Sequence, residues 1–197
     1  MPPLPRRLVL LAAVPAAALA LAGPAAAADC QGADGPADGP QAVHATLCLL
    51  NAERTSRGLQ PLVQDGRLDA AARGFARDMV TRRFFDHTSP GGGTILSRLR
   101  AVGWLPASGA WSAGENIAWG SGELATPERI VDSWMHSAGH RANILQPRFD
   151  EIGIGIAAGA PQGGVPGPAG TYVTDLGARA AADPSPTAKP AKRTGSR

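Results

Sequence analysis

Apolar positions along the chain fall into two periods. From Gln41, Val43, Leu47, Leu50 and Ala52 recur at helical spacing, and Gly58 closes that predicted helix. Asp65 is placed to cap a second helix. Along it Leu68, Ala72, Phe75 and Met79 make one apolar stripe, with Arg67, Arg73, Arg77 and Asp78 on the other faces. Thr94 heads a short helix bearing Ile95, Leu96, Leu99 and Val102, stopped by Gly103. Thr126-Pro127-Glu128 combines a capping hydroxyl, a first-turn proline and an acid at the positive end of the helix dipole. Ile130, Val131 and Trp134 give that helix its core face, and Gly139 is expected to break it just before His140. Leu59 to Val63 reads as a linker and Trp104 to Ser112 as a loop, while Glu115 to Trp119 alternates as a short strand or extended turn. The period then becomes two. Ile152-Gly-Ile-Gly-Ile156 predicts a strand whose glycines let another backbone come close. Thr171 to Leu176 returns after a Gly/Pro loop from Gly159 to Gly170. Helices first and a strand pair last predict an α+β domain with helices packed on an antiparallel sheet.

The two ends lack this patterning. Residues 1–28 read as an export signal: Arg6-Arg7, the apolar run Leu8 to Ala22, Pro24, then small residues before Asp29. The run is too short for a membrane span. The residues flanking Arg6-Arg7 suit the general secretory route better than the twin-arginine route. Residues 29–43 are expected to form a leader tethered by Cys30, and 180–197 a disordered Pro/Ala/Lys tail. The formal net charge is +3, but Arg6, Arg7, Lys189, Lys192, Arg193 and Arg197 all lie in these ends. The body between them is near neutral, which gives no case for nucleic-acid binding. A secreted monomer without a membrane span is the expected product. Cys30 and Cys48, the two cysteines, read as one disulfide joining the leader to the first helix, with two free thiols as the alternative.

Candidate chemistry is sparse and lies in three separated segments. His87 follows a diaromatic in Phe84-Phe-Asp-His87-Thr-Ser-Pro90. Glu115 is the one charge in Gly114-Glu115-Asn-Ile-Ala-Trp-Gly120, and a lone carboxylate needs a partner to be buried cheaply. His140 lies in Trp134-Met-His-Ser-Ala-Gly-His140-Arg-Ala-Asn-Ile-Leu145. Read alone, His87 is a satisfied, half-buried histidine and Glu115 a surface residue. His136 and His140 have the i,i+4 spacing of helical zinc ligands, but no glutamate follows His136 and Gly139 interrupts the helix, so a zincin site is rejected. His44 and His136 are expected at the surface. Ala110-Trp-Ser112-Ala-Gly114 lacks the first glycine of a nucleophile elbow.

Taken in order, Asn51-Ala-Glu-Arg54, Phe85-Asp-His87-Thr-Ser-Pro, Gly114-Glu115-Asn-Ile-Ala, Trp134-Met-x-Ser-x-Gly-His140-Arg-x-Asn-Ile-Leu and Gly153-Ile-Gly155 resemble the CAP superfamily, also called the SCP domain, in its short bacterial form. The resemblance covers about residues 44–179. It implies an α–β–α sandwich with a three-stranded antiparallel sheet between helical layers. It also implies a cleft of two histidines and two glutamates that holds a divalent cation in some members. The histidines map to His87 and His140 and the first glutamate to Glu115. Ser137 stands near the second glutamate's position, so that set is incomplete here.

Three functions follow as expectations. One is a secreted module binding a small lipid- or sterol-like ligand or a divalent cation in a cleft of His87, Glu115, His140 and Ser137. Another is a metal-assisted hydrolase or peptidase, with zinc or another divalent cation on His87, His140 and Glu115 and the same three residues as catalytic candidates. The third is a cell-envelope interaction domain with no small ligand.

Overall fold

The computed structural model describes residues 30–180. The export signal expected at 1–28 and the tail beyond Ala180 lie outside the described residues. Five helices run α1 (Gly39–Thr55), α2 (Gly66–Arg82), α3 (Ile95–Ala101), α4 (Pro127–His136) and α5 (Ala138–Ile144). Four strands run β1 (Val63–Gln64), β2 (Trp111–Ser121), β3 (Glu151–Ala158) and β4 (Ala169–Arg179), with a 3-10 turn at Gly122–Ala125. Capping side chains set the starts of α2, α3 and α4. The Asp65 carboxylate accepts from the backbone N–H groups of Arg67 and Leu68 at the head of α2. The Arg67 guanidinium beside it holds its pKa down at about 2. Thr94 and Thr126 cap α3 and α4 through their hydroxyls. Cys30 and Cys48 form a disulfide that ties the segment before α1 to that helix.

The sheet order is β1-β3-β4-β2. β3, β4 and β2 are antiparallel, but β1 pairs parallel with β3, so the sheet is four-stranded and mixed rather than three-stranded and antiparallel. The extra strand comes from the expected linker. Asn51 brackets Leu62, accepting from its N–H at 2.7 Å and donating to its carbonyl at 3.0 Å. That clamp, with Leu62 buried, brings Val63 and Gln64 alongside β3, where Val63 N–H donates to the Asp150 carbonyl. Two residues are too few for a period-two signal, so the pairing is invisible in sequence. β2 is also longer than Glu115 to Trp119. It pairs with β4 from Trp111↔Arg179 to Ser121↔Ala169, which draws Trp111 out of the expected loop.

Both faces of the sheet are covered. On one, Trp134 and Met135 of α4, Ile144 of α5 and Leu50 of α1 bury Ile152, Ile154, Tyr172 and Leu176. On the other, Phe75 and Met79 of α2 bury Ile117 and Val173. Beside α2, Trp104 packs with Leu68 and Leu99, and its indole N–H donates to Glu151 at 2.8 Å. Arg54 of α1 is fully buried and donates to the carbonyls of Gln60, Ile144, Gln146 and Phe149. It thereby closes the end of α5 onto α1, and α5 is the helix that carries His140.

Candidate functional site

β2 is an edge strand, and the site straddles it. Alternation puts Glu115 and Ile117 on the α2 face and Asn116 on the α4/α5 face. One histidine approaches over each face. His87 lies on the loop that follows α2. Arg83 ends that helix in a left-handed conformation (φ 55°), and Phe84 packs on Phe75 with ring centroids 5.9 Å apart. Asp86 accepts from Thr88 N–H at 2.7 Å, a local turn that sets the backbone around His87. Arg98 of α3 pins the loop from outside, donating to the carbonyls of His87 and Gly93.

These contacts bring three charged side chains together. His87 Nδ1 lies 2.8 Å from Glu115 Oε1, so the proton sits on Nδ1 and the carboxylate accepts it. Arg98 Nη2 donates to Glu115 Oε2 at 2.5 Å. The Arg98 guanidinium carbon lies 3.4 Å from the centroid of the Phe75 ring, so α2 supplies a cation–π floor beneath the ion pair. Glu115 is buried, whereas 55 % of the His87 side-chain surface remains exposed.

On the opposite face, Asn143 of α5 donates to the Glu115 carbonyl at 3.2 Å and to Asn116 Oδ1 at 2.9 Å. Asn116 donates in turn to the His140 carbonyl at 3.2 Å. Trp134 donates to the Ile117 carbonyl at 3.2 Å. Side chains therefore occupy backbone acceptors that an edge strand would otherwise leave open to a foreign strand. The break between α4 and α5 falls at Ser137 (φ −97°, ψ 121°), and Gly139 lies inside α5, correcting the expectation that Gly139 breaks the chain. Ser137 is half-buried at the start of α5 without a capping side-chain bond. His136 is exposed and bonds back to the Asp132 carbonyl; His44 is exposed on α1.

The two imidazoles differ electrostatically. The hydrogen bond to Glu115, helped by the charges of Glu115 and Asp86, raises the His87 pKa above its ordinary value against burial and Arg98. Burial, then the nearby His87 charge, lowers that of His140. Stability drawn from the His87–Glu115 pair is therefore complete below the ordinary histidine pKa of about 6.5 and is lost as pH rises through the higher folded value. NMR titration of the ring protons should show His140 losing its proton at lower pH than His87. Glu115→Gln should lower the His87 midpoint. Equal midpoints in the parent protein would contradict the pairing.

Sequence reasoning found His87, Glu115 and His140 but missed Arg98, Asn116 and Asp175. Asp175 stands opposite Glu115 in the β2–β4 register and is fully buried. Its signal was the one that marked Glu115, a lone acid in the uncharged stretch Thr171 to Leu176.

The donors do not fit a metal centre. Both Glu115 oxygens are engaged, one by His87 and one by Arg98. Among the described residues no three His, Cys, Asp or Glu side chains converge closely enough to hold an ion. Two imidazoles alone fall short of the three protein ligands of a catalytic zinc site. The metal set His87, His140 and Glu115 is therefore not assembled. A separate cavity of about 660 Å³ lies away from these residues, lined in part by Ala37, Glu123, Ala158 and Pro168.

A sheet between helical layers, with two histidines approaching across its edge strand, defines a CAP-type domain. The chain belongs to the cysteine-rich secretory protein family, whose model matches residues 47–174. It is 44 % identical over 107 residues to the uncharacterised protein YkwD of Bacillus subtilis (strain 168), and 32 % identical over 110 residues to the uncharacterised membrane protein YlbC of the same organism. Those alignments take in 54 % and 56 % of this chain but span only 39 % and 30 % of the relatives' lengths. An extracellular SCP-domain protein from Bacillus anthracis str. Ames superposes with a TM-score of 0.57 at 24 % identity, covering 74 % of this chain and 45 % of that one. An outer surface protein from Borrelia burgdorferi superposes with a TM-score of 0.59 at 20 % identity, covering 73 % and 96 %. Both likenesses concern the fold.

Proposed function

We propose that the protein is a secreted binding module that takes a small lipid- or sterol-like ligand at the His87/His140 cleft. One observation carries this reading: both oxygens of Glu115 are committed, to His87 and to Arg98. A carboxylate so engaged is neither a free general base nor a free metal ligand, which disfavours the hydrolase reading. What remains for a ligand is hydrogen bonding from the two imidazoles. Phe85 and Leu96, exposed large apolar side chains, lie on the segments that carry His87 and Arg98. A ligand with a polar head and an apolar body matches that composition. Export is supported by the disulfide, since such bonds persist in oxidising compartments. Among the described residues no helix is long and apolar enough to cross a membrane.

The test is titration of delipidated protein with a fluorescent fatty-acid analogue, a sterol and zinc. Binding of one lipid probe is expected, weakened about tenfold or more in His87→Ala/His140→Ala, the loss of a hydrogen bond or two. Zinc should not bind at micromolar concentration. Failure of both lipid probes with the parent protein, or zinc binding lost in the double variant, would overturn the reading.

A further inference from the structure

On the α2 face of the sheet lies an acid that the ligand reading does not use. Asp175 of β4 is Cα partner to Glu115 of β2 and to Gly153 of β3, in the middle of the sheet. Directly opposed residues of an antiparallel pair share a face, so both carboxyls point toward α2. Asp175 is fully buried, and neither of its oxygens receives a hydrogen bond from an N–H or O–H donor of the surrounding residues. The charged groups that act on it are the Glu115 carboxylate, opposite it in the β2–β4 register, and the Arg98 guanidinium. Two ionised carboxylates cannot bond to each other; one must carry a proton.

The surroundings decide which. Glu115 accepts from His87 Nδ1 and from Arg98 Nη2. Asp175 has neither donor. α2 buries Leu68, Ala72 and Phe75 against the sheet there, and its Asp69 carboxylate, an acceptor, is bonded to Ile154 N–H. β3 offers Gly153, and Arg98 gives its Nη atoms to Glu115 and the carbonyls of the His87 loop, while its Nε, buried without a partner, bonds neither Asp175 oxygen. We propose that Asp175 is the positioning acid of this site: it keeps its proton at neutral pH and donates it to Glu115, so that the two carboxyls carry one negative charge. Burial, then the Glu115 charge, pushes the Asp175 pKa well above the usual carboxylate range, with Arg98 opposing.

This inference rests on the ligand reading only for its consequence. Arg98 balances the one charge on Glu115, so the buried cluster is neutral. The imidazoles of His87 and His140 then set the charge that the site offers a ligand. Donation from Asp175 also holds Glu115 in place to accept from His87 Nδ1.

The experiment uses the full exported chain and the variants Asp175→Asn, which keeps a donor without a titrating proton, and Asp175→Leu, which keeps neither. A proton held only in the folded state makes the parent's folding equilibrium fall relative to Asp175→Asn by about tenfold per pH unit above about pH 4. Chemical denaturation across pH reads that slope. In NMR titrations His87 should keep its midpoint in Asp175→Asn, because no charge is removed, and shift upward in Asp175→Leu, where Glu115 loses its donor. Parallel stability profiles, or a His87 midpoint that falls in Asp175→Asn, would show an ionised Asp175 and overturn the assignment. None of these readouts needs a ligand, so absent lipid binding would sink the function and leave this test intact.

Discussion

Gly153→Ala and Gly155→Ala are each expected to cost at least about 3 kcal/mol and to leave little folded protein, the upper end of what overpacking does in cores. A Cβ on Gly153 would overlap the Leu68 carbonyl carbon and the Asp69 backbone nitrogen; one on Gly155 would overlap the backbone of Ala72 and Arg73. The obstacle in each case is helix backbone, which cannot turn aside as a side chain can. α2 would have to lift off β3. Asp69 accepts from Ile154 N–H at 2.8 Å across that same contact, so lifting also breaks the cap on the free edge of β3 beyond β1. The loss reaches the candidate site, because Phe75 of α2 underlies Arg98 and Arg98 holds Glu115. Denaturation midpoints and soluble yield measure the effect. A variant within about 1 kcal/mol of the parent would mean that α2 does not sit on the sheet as described.

Arg54→Ala is expected to cost about 3–5 kcal/mol, comparable with removing one partner from a buried charged network. It leaves the carbonyls of Gln60, Ile144, Gln146 and Phe149 without their donor, three of them around the end of α5 and the turn into β3. Hydrogen bonds from charged groups contribute about 1.5–3 kcal/mol each, and they do not add in full. For a domain of this size the melting temperature should fall by roughly 10–15 °C. Arg54→Lys should recover only part of this, since a single ammonium cannot span four carbonyls set out for a planar fork. Hydrogen exchange should report loss of protection first in α5, and with it loss of the order around His140. Intact α5 protection in Arg54→Ala would separate Arg54 from the site.

Helices α1 to α4 were legible because each declares itself locally; α5 was not, since it starts without a capping side chain. Asp65, Thr94 and Thr126 are capping residues standing directly before apolar stripes, and the structure starts α2, α3 and α4 there. The strand Ile152-Gly-Ile-Gly-Ile156 was legible too, glycine contacts included. The break at Ser137 was misplaced by two residues because glycine is the stronger local signal. The backbone turns at Ser137 instead, and Gly139 is taken into the following helix. β1 was missed because its cause is the Asn51 clamp on Leu62, eleven residues away in sequence.

The same division runs through the site. His87, Glu115 and His140 stood out as isolated polar residues among small and aromatic ones, and the motifs around them announced the family. Residue order alone indicated α1 to α4, the terminal strand pair and these three candidates, because periodicity, capping and burial of a lone charge act over a few neighbours. Only the tertiary structure decided what the carboxylate does. Arg98 is 17 residues from Glu115 and Asp175 is 60 further on, and they meet because α3 packs beside α2 and β4 pairs with β2. A carboxylate's chemistry is set by the charges and donors within a few ångströms, and that neighbourhood exists only once the sheet has closed around it.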